Sequence, residues 1–280
     1  MDGRIVIVTG ANSGMGLATT VELARRGATV IMACRSRSRG EEALEKAREK
    51  SGSPNIELML CDLSSIEDIR RFAEEFTVKY PVLDVLVNNA GVVSVKRQLT
   101  QDGFELDLGV NHLGHFLLTS LLLESLEKAE QGRIVVVASG AYKIGAMHYD
   151  DPTLLKGYNP AKAYARSKLA NILFTKELAA RLRGTRVTVN CVHPGAVGTS
   201  IGVNRETGFG QSVLKLLSLF FLTPEKGADT AIYLATAPEL SGITGQYYYR
   251  RQIKELTPRA DNMVEAEKLW QWSSKQVGLG

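Results

Sequence analysis

Short runs rich in branched apolar residues alternate along this chain with longer segments whose apolar residues recur at helical spacing. Ile5–Val8, Thr29–Ala33, Ile56–Leu60, Leu83–Val87, Ile134–Ala138 and Val187–Val192 read as strands. Between them Leu17–Arg26, Glu41–Lys50, Ile66–Lys79, a stretch near 104–129 and Ala161–Leu182 read as helices. A helix over Pro224–Thr236, a short strand over Gly245–Tyr249 and an amphipathic tail from Asp261 to Gln276 complete the pattern. Gly27 and Gly184 suit helix stops, and Asn159 with Pro160 suits an N-cap and first turn. The strands are continuously apolar rather than alternating, as parallel strands covered on both faces are. The expectation is an α/β chain with a doubly wound parallel sheet and helices on both faces. No linker or repeat divides residues 1–280, so one domain is expected, with a loop-and-helix excursion around 196–225.

Composition changes this picture little. Of the 280 residues 44% are hydrophobic and 23% charged, as in an ordinary globular enzyme. A net charge of +4, spread over both signs and without a basic stripe, argues against nucleic acid. Cys34, Cys61 and Cys191 lie far apart in apolar surroundings, which points to buried thiols in a reducing compartment rather than disulfides or metal. The first strand begins near the N-terminus, so no leader or transmembrane anchor is expected. The most lipophilic stretch, residues 213–222, is shorter than the roughly 20 residues that span a bilayer. It reads as a lid, a core helix or an interfacial segment. A cytoplasmic location follows, with a peripheral membrane position left open.

The chemistry begins at the end of the first strand. Thr9 runs into Gly10-Ala11-Asn12-Ser13-Gly14-Met15-Gly16, and a helix follows. Glycines there give a tight turn and bring backbone N–H groups close to a pyrophosphate at the helix N-terminus. After the second strand a carboxylate would bind the ribose 2′-OH of NAD. No Asp or Glu stands between Glu22 and Glu41; Arg35, Ser36, Arg37, Ser38 and Arg39 fill the window. A guanidinium suits a 2′-phosphate, with a contact on the order of 4 kcal/mol before desolvation. Arg35 is assigned to that contact, while Arg37 and Arg39 fit a solvated loop. Asp62, with Leu63, follows the third strand, where its carboxylate can accept from an adenine amino group or cap a helix. Asn89, Ala90 and Gly91 end the fourth strand and permit close cofactor approach, with Asn89 also able to tie strands together.

Tyr164 and Lys168 lie four apart in a predicted helix, so they share a face. A free tyrosine has a pKa of roughly 10. A cation about 4–6 Å away stabilises the phenolate and makes the group a workable proton carrier. Ser139, just past the fifth strand, offers a second hydroxyl to an oxygen that gains charge. Tyr142 is close enough in sequence to line the same pocket or simply to pack. The four histidines lack companion ligands at metal-binding spacing.

Thr-Gly-x-x-x-Gly-x-Gly at 9–16, Asn-Asn-Ala-Gly at 88–91, Asn111, Ser139, Tyr164 with Lys168, and Pro194-Gly195 together resemble the short-chain dehydrogenase/reductase superfamily, a Rossmann fold. Asn111-His-Leu-Gly-His-Phe116, Ser167-Lys-Leu-Ala-Asn171 and Gly245-Gln-Tyr-Tyr-Tyr249 look like its retinol dehydrogenase branch. The resemblance implies that Tyr164 donates the proton and that Lys168 holds the nicotinamide ribose. It further implies that Ser139 binds the substrate oxygen and Asn111 holds a water in a relay to Lys168. Pro194, Gly195, Val197 and Thr199 would border the nicotinamide. NADP(H) and a small lipophilic aldehyde, ketone or alcohol are the implied cofactor and substrate. Pairing of related enzymes through the helices near 112–127 and 161–182 implies a homodimer. Twenty-four residues separate Ser139 from Tyr164, longer than in many members.

Two further function classes stand beside the oxidoreductase. A catalytically silent dinucleotide-sensing regulator could lose Ser139, Tyr164 or Lys168, yet all are present. A sugar-nucleotide epimerase fits the glycine spacing and length less well. The assignment of Arg35 predicts that Arg35→Asp shifts preference from NADPH toward NADH. The ratio of kcat/KM for the two cofactors checks this, and an unchanged ratio would contradict it.

Overall fold

The computed structural model describes residues 1–195 and 222–280. Among these, eight strands form one sheet: β1 Ile5–Thr9, β2 Thr29–Cys34, β3 Ile56–Leu60, β4 Val85–Asn88, β5 Arg133–Val137, β6 Thr188–His193, β7 Tyr247–Tyr249 and β8 Gln252–Ile253. Their order is β3-β2-β1-β4-β5-β6-β7-β8, all parallel except the β7–β8 pair. The chain winds one way from β1 to β3 and then crosses to β4 on the other side of β1. A crevice therefore opens at the C-terminal ends of β1 and β4, where such folds bind dinucleotides.

Successive strand residues feed opposite faces. Ile7, Ile31, Leu86, Ile134, Val136 and Val189 join one core, while Val6, Val8, Val30, Met32, Val85, Val87 and Val135 join the other. Helices α1 Gly14–Arg25, α2 Arg37–Ser51 and α6 Pro224–Thr236 cover the second core. Helices α3 Ile66–Lys79, α4 Leu106–Glu127, α5 Pro160–Arg181 and α7 Met263–Gln276 cover the first.

Local signals place several ends. Asn159 accepts from Lys162 N at 3.0 Å and Pro160 opens α5, as its sequence indicates. Strand ends fall within one or two residues of expectation, and three helix starts differ in an informative way. The first helix begins at Gly14 rather than Leu17: after the extended Ser13, Gly14 turns the chain at φ +54°, a left-handed conformation open to glycine, and the helix follows at once. The second begins at Arg37 rather than Glu41, capped by Ser36 Oγ; its polar first turn carries no apolar repeat to announce it. The long helix α4 starts at Leu106 and contains a π turn over Gly109–Leu113. Such turns widen the backbone spacing and are frequent at functional sites.

Helix α4 is long and apolar enough to cross a membrane, but 78% of its most apolar window is buried in this fold. It is a core helix. Part of its outer surface, with that of α5, receives α7 of the same chain. Trp270 stacks on Phe174, meets Phe116 edge-on at 4.8 Å and lies under the Arg181 guanidinium at 4.5 Å. His112 Nε2 pairs with Ser273 Oγ at 2.9 Å. Part of the surface of the two helices named above for pairing thus meets a helix of the same chain.

Candidate active site

The predicted site residues within the described range gather at the C-terminal edge of the parallel strands. Gly10, Asn12, Ser13, Gly14, Met15 and Gly16 form the turn from β1 into α1; Arg35 follows β2, Asp62 and Leu63 follow β3, and Asn89, Ala90 and Gly91 follow β4. Ser139 follows β5, and Pro194 with Gly195 follows β6. Val197, Thr199 and most of the 196–225 excursion, including all but the last residue of 213–222, lie outside the described residues.

Gly10 has φ +63°, and a Cβ on it would lie 2.9 Å from Ala90 Cα. A Cβ on Gly16 would lie 2.6 Å from Asn89 Nδ2 and collide with the Gly10 carbonyl oxygen. The turn is held by Asn89, whose Nδ2 donates to Thr9 O at 2.7 Å. The N-cap of α1, Ser13, makes no side-chain cap bond, and the first turn carries no acid. By contrast Ser36, Ser65, Asn159, Thr223 and Asn262 cap their helices with side-chain oxygens. Free N–H groups at a helix N-terminus, beside a backbone cradle only glycine can form, fit a dinucleotide pyrophosphate. Asp62 Oδ1 accepts from Ser64 N and Oγ at 2.9 and 2.7 Å, and the cap of α3 is Ser65 rather than Asp62 or Ser64.

Thr9 Oγ1 is a junction that the sequence did not disclose. It accepts from Asn89 N and Ala90 N, both at 2.9 Å, and pairs with His115 Nε2 at 2.9 Å. His115 Nδ1 lies 3.0 Å from the Asn111 carbonyl oxygen, which can only accept, so Nδ1 carries the proton. Nε2 then accepts from the Thr9 hydroxyl. The only sequence signal was the four-residue spacing of Asn111 and His115. The Asn111 side chain is itself fully engaged: Oδ1 accepts from Val92 N, and Nδ2 donates to Val92 O and Ser167 Oγ.

Tyr164 and Lys168 do share a face of α5. Lys168 Nζ sits 5.5 Å from the Tyr164 ring centre and donates to the carbonyl of Val137, the last residue of β5, at 3.0 Å. Lys168 is buried, and loss of hydration pushes its pKa down to about 8 while the charge of Asp107 opposes the fall. The phenol of Tyr164 departs from the sequence argument. Burial holds it above its ordinary value, Asp107 pushes the same way, and the Ser139 side chain pulls it down. Removing a phenolate from water outweighs the hydrogen bond with Ser139. Tyr142 is packing: it is 1% exposed, meets Tyr247 edge-on, and its hydroxyl oxygen accepts from Thr257 N at 3.3 Å.

Burial also pushes His115 down to about 4, so it is neutral in the fold. Its folded pKa lies below the unfolded value of roughly 6.5, so the unfolded chain takes up the proton first as pH falls. The histidine's contribution is present above about pH 6.5 and is lost on acidification toward pH 4. Asp107, raised to about 7 chiefly by burial, has the opposite sign: its contribution is present at low pH and is lost as pH rises through about 7. Comparison with His115→Gln isolates the histidine. Between pH 7 and pH 5 the wild type should lose roughly 2 kcal/mol more unfolding free energy than the variant. Denaturant titrations at both pH values check this, and equal losses would contradict a neutral buried His115.

Comparison with known proteins agrees with this geometry. The short chain dehydrogenase family profile matches residues 4–208. Human retinol dehydrogenase 14 is 48% identical over 296 residues, covering 100% of this chain and 88% of that protein. Human retinol dehydrogenase 13 is 42% identical over 284 residues, covering 99% and 85%. The crystal structure of an uncharacterized protein from Mycobacterium Paratuberculosis superposes with a TM-score of 0.81 at 36% identity, over 99% of this chain and 94% of that one. A short chain dehydrogenase from Escherichia coli CFT073, solved with NADPH, gives 0.67 at 26% identity, over 89% and 96%. The chain belongs to the short-chain dehydrogenase/reductase family, in its retinol dehydrogenase-like branch, and is a dinucleotide-dependent oxidoreductase.

Proposed function

We propose that the chain interconverts a lipophilic aldehyde or ketone and its alcohol with NADP(H), with Tyr164 as the proton donor and acceptor. The observation that carries this reading is the convergence of Ser139, Tyr164 and Lys168 at the end of β5, beside the glycine turn and Asn89–Gly91. When bound, NADP(H) supplies the hydride donor or acceptor. The chain's own residues do the rest. Ser139 and Tyr164 donate to the carbonyl oxygen as it gains negative charge. A phenol held above its ordinary value is protonated at neutral pH, the form that carbonyl reduction consumes. Lys168 steadies the nicotinamide ribose, and Asn111 holds a water in a relay to Lys168.

The preference for a 2′-phosphate has support in charge placement. Arg35 is exposed immediately after β2 and forms no ion pair among the described residues. Arg37 and Arg39 stand in the first turn of α2, which has no acid. Cations at a helix N-terminus oppose the dipole by about 0.3–1 kcal/mol each, a cost that a bound anion offsets. Arg37 also lies 3.8 Å from Glu41, in keeping with a solvated role. The relatives' names as retinol dehydrogenases support a lipophilic substrate.

Tyr164→Phe should leave NADPH binding intact and lower NADPH oxidation with hydrophobic aldehydes by at least about 100-fold. Fluorescence binding and steady-state kinetics check both parts. Full activity in the variant would remove Tyr164 from its role. Cofactor binding by wild type without turnover on any carbonyl would favour the dinucleotide sensor.

A further inference from the structure

Four charged side chains are buried together where α4 meets α5. Glu105, which caps α4, and Asp107 in its first turn are both 0% exposed; Arg166 and Lys168 of α5 are 1% and 3% exposed. Burying a charge without compensation costs several kcal/mol, so their pairing is constrained. Glu105 is fully engaged. Its Oε2 accepts from Arg166 Nη2 at 2.9 Å, and its two oxygens accept from Asp107 N and Leu108 N at the helix start. Asp107 Oδ1 accepts from Ser94 N at 2.9 Å, but Oδ2 is buried with no hydrogen-bond partner among the described residues. Lys168 brings three donors and spends one on Val137 O.

The first turn of α4, which holds Asp107, packs against α5, though no direct ion pair joins Asp107 to Lys168 among the described residues. A Cβ placed on Gly91 would be 3.6 Å from both Lys168 Nζ and Asn111 Oδ1, and Asn111 stands four residues beyond Asp107 in α4. Glu105 is committed to Arg166, whose Nε and Nη1 are themselves buried without a partner among the described residues; of the two cations that act on Asp107, Lys168 acts the more strongly.

We propose that Asp107 is a positioning residue: its carboxylate is the counter-charge that keeps the Lys168 ammonium protonated beside Tyr164. This deepens the functional reading above, in which Lys168 steadies the nicotinamide ribose beside Tyr164. Burial brings the two groups to about 7 and about 8, and each attracts the other's charged form. The other groups facing the pair are consistent with that sign. Glu105 raises Asp107 and Arg166 lowers it. Asp107 raises Tyr158 and Tyr164, His115 feels the Lys168 charge, and Asp151 acts on Arg166 from beyond. An acid and a base that interact by more than about one pH unit titrate as a pair.

NMR titration of the full chain, labelled with 15N-lysine and 13C-aspartate, tests the pair directly. The Lys168 Nζ signal, identified by its loss in Lys168→Met, should move down by at least about one pH unit in Asp107→Asn. Coupling is reciprocal, so the Asp107 Cγ signal, set apart by titrating near neutrality, should move up by the same amount in Lys168→Met. An unmoved midpoint in either folded variant overturns the proposal; should Asp107→Asn not fold, the Lys168→Met arm decides alone. Neither arm requires turnover, so the result is separate from whether the chain reduces a carbonyl. Once a substrate is in hand, the alkaline limb of kcat for reduction should also move down in Asp107→Asn. A uniform fall in kcat with the limb in place would mark a merely structural role and overturn the proposal.

Discussion

An ammonium group buried beneath the end of β5 sets the terms for the half of this molecule that holds Ser139, Tyr164 and Lys168. Lys168 is 3% exposed and has one hydrogen-bond acceptor among the described residues, the carbonyl of Val137. A lysine so placed loses hydration and tends to lose its proton. Its surroundings answer that tendency: the strand end turns a carbonyl toward it, and α4 brings Asp107 within electrostatic reach. Tyr164, one turn earlier on α5, inherits the same dry surroundings and holds its proton more tightly than a free phenol. The catalytic helix can carry these polar groups because it is clamped elsewhere. The buried Glu105–Arg166 pair ties its first half to α4, and the aromatic contacts of Trp270 cover its second half.

The dinucleotide half is built on the opposite principle, the removal of side chains. Gly10 and Gly16 leave backbone where any Cβ would strike Ala90 or Asn89, and Ser13 leaves the start of α1 without a side-chain cap. The two halves meet at Thr9. Its hydroxyl receives two backbone N–H groups from the exit of β4 and donates to His115, which in turn donates to the Asn111 carbonyl. The end of the first strand and the π turn of α4 are therefore held by one hydrogen-bonded chain of fixed polarity. A shift in the nucleotide turn would be felt at Asn111, and through it near Lys168.

What could be read from sequence was what is local or periodic. Strands buried on both faces write continuous apolar runs, so the doubly wound sheet was legible from Ile5–Val8 onward. The glycine turn and the Tyr164–Lys168 spacing were legible because a helix N-terminus and a helix face are set by a few neighbouring residues. Boundaries without apolar repeat, such as the Arg37 start of α2, were not. Nor were long-range polar pairings: Arg166 stands between two predicted catalytic residues, and nothing nearby marks Glu105 as its partner, 61 residues away. The titration of Tyr164 was misjudged for a related reason. Spacing reveals a nearby cation, but the dehydration that opposes it is a property of the assembled fold.

In the proposed function, this constellation directs a hydride between NADP(H) and a carbonyl carbon. The most direct measurement follows the hydride itself, using NADPH deuterated in turn at each face of nicotinamide C4 and a panel of lipophilic aldehydes. The account predicts one deuterium at the carbinol carbon of the product from one face only, with transfer lost in Lys168→Met. Alcohol product without deuterium from either face, or no product while the cofactor is bound, would contradict it.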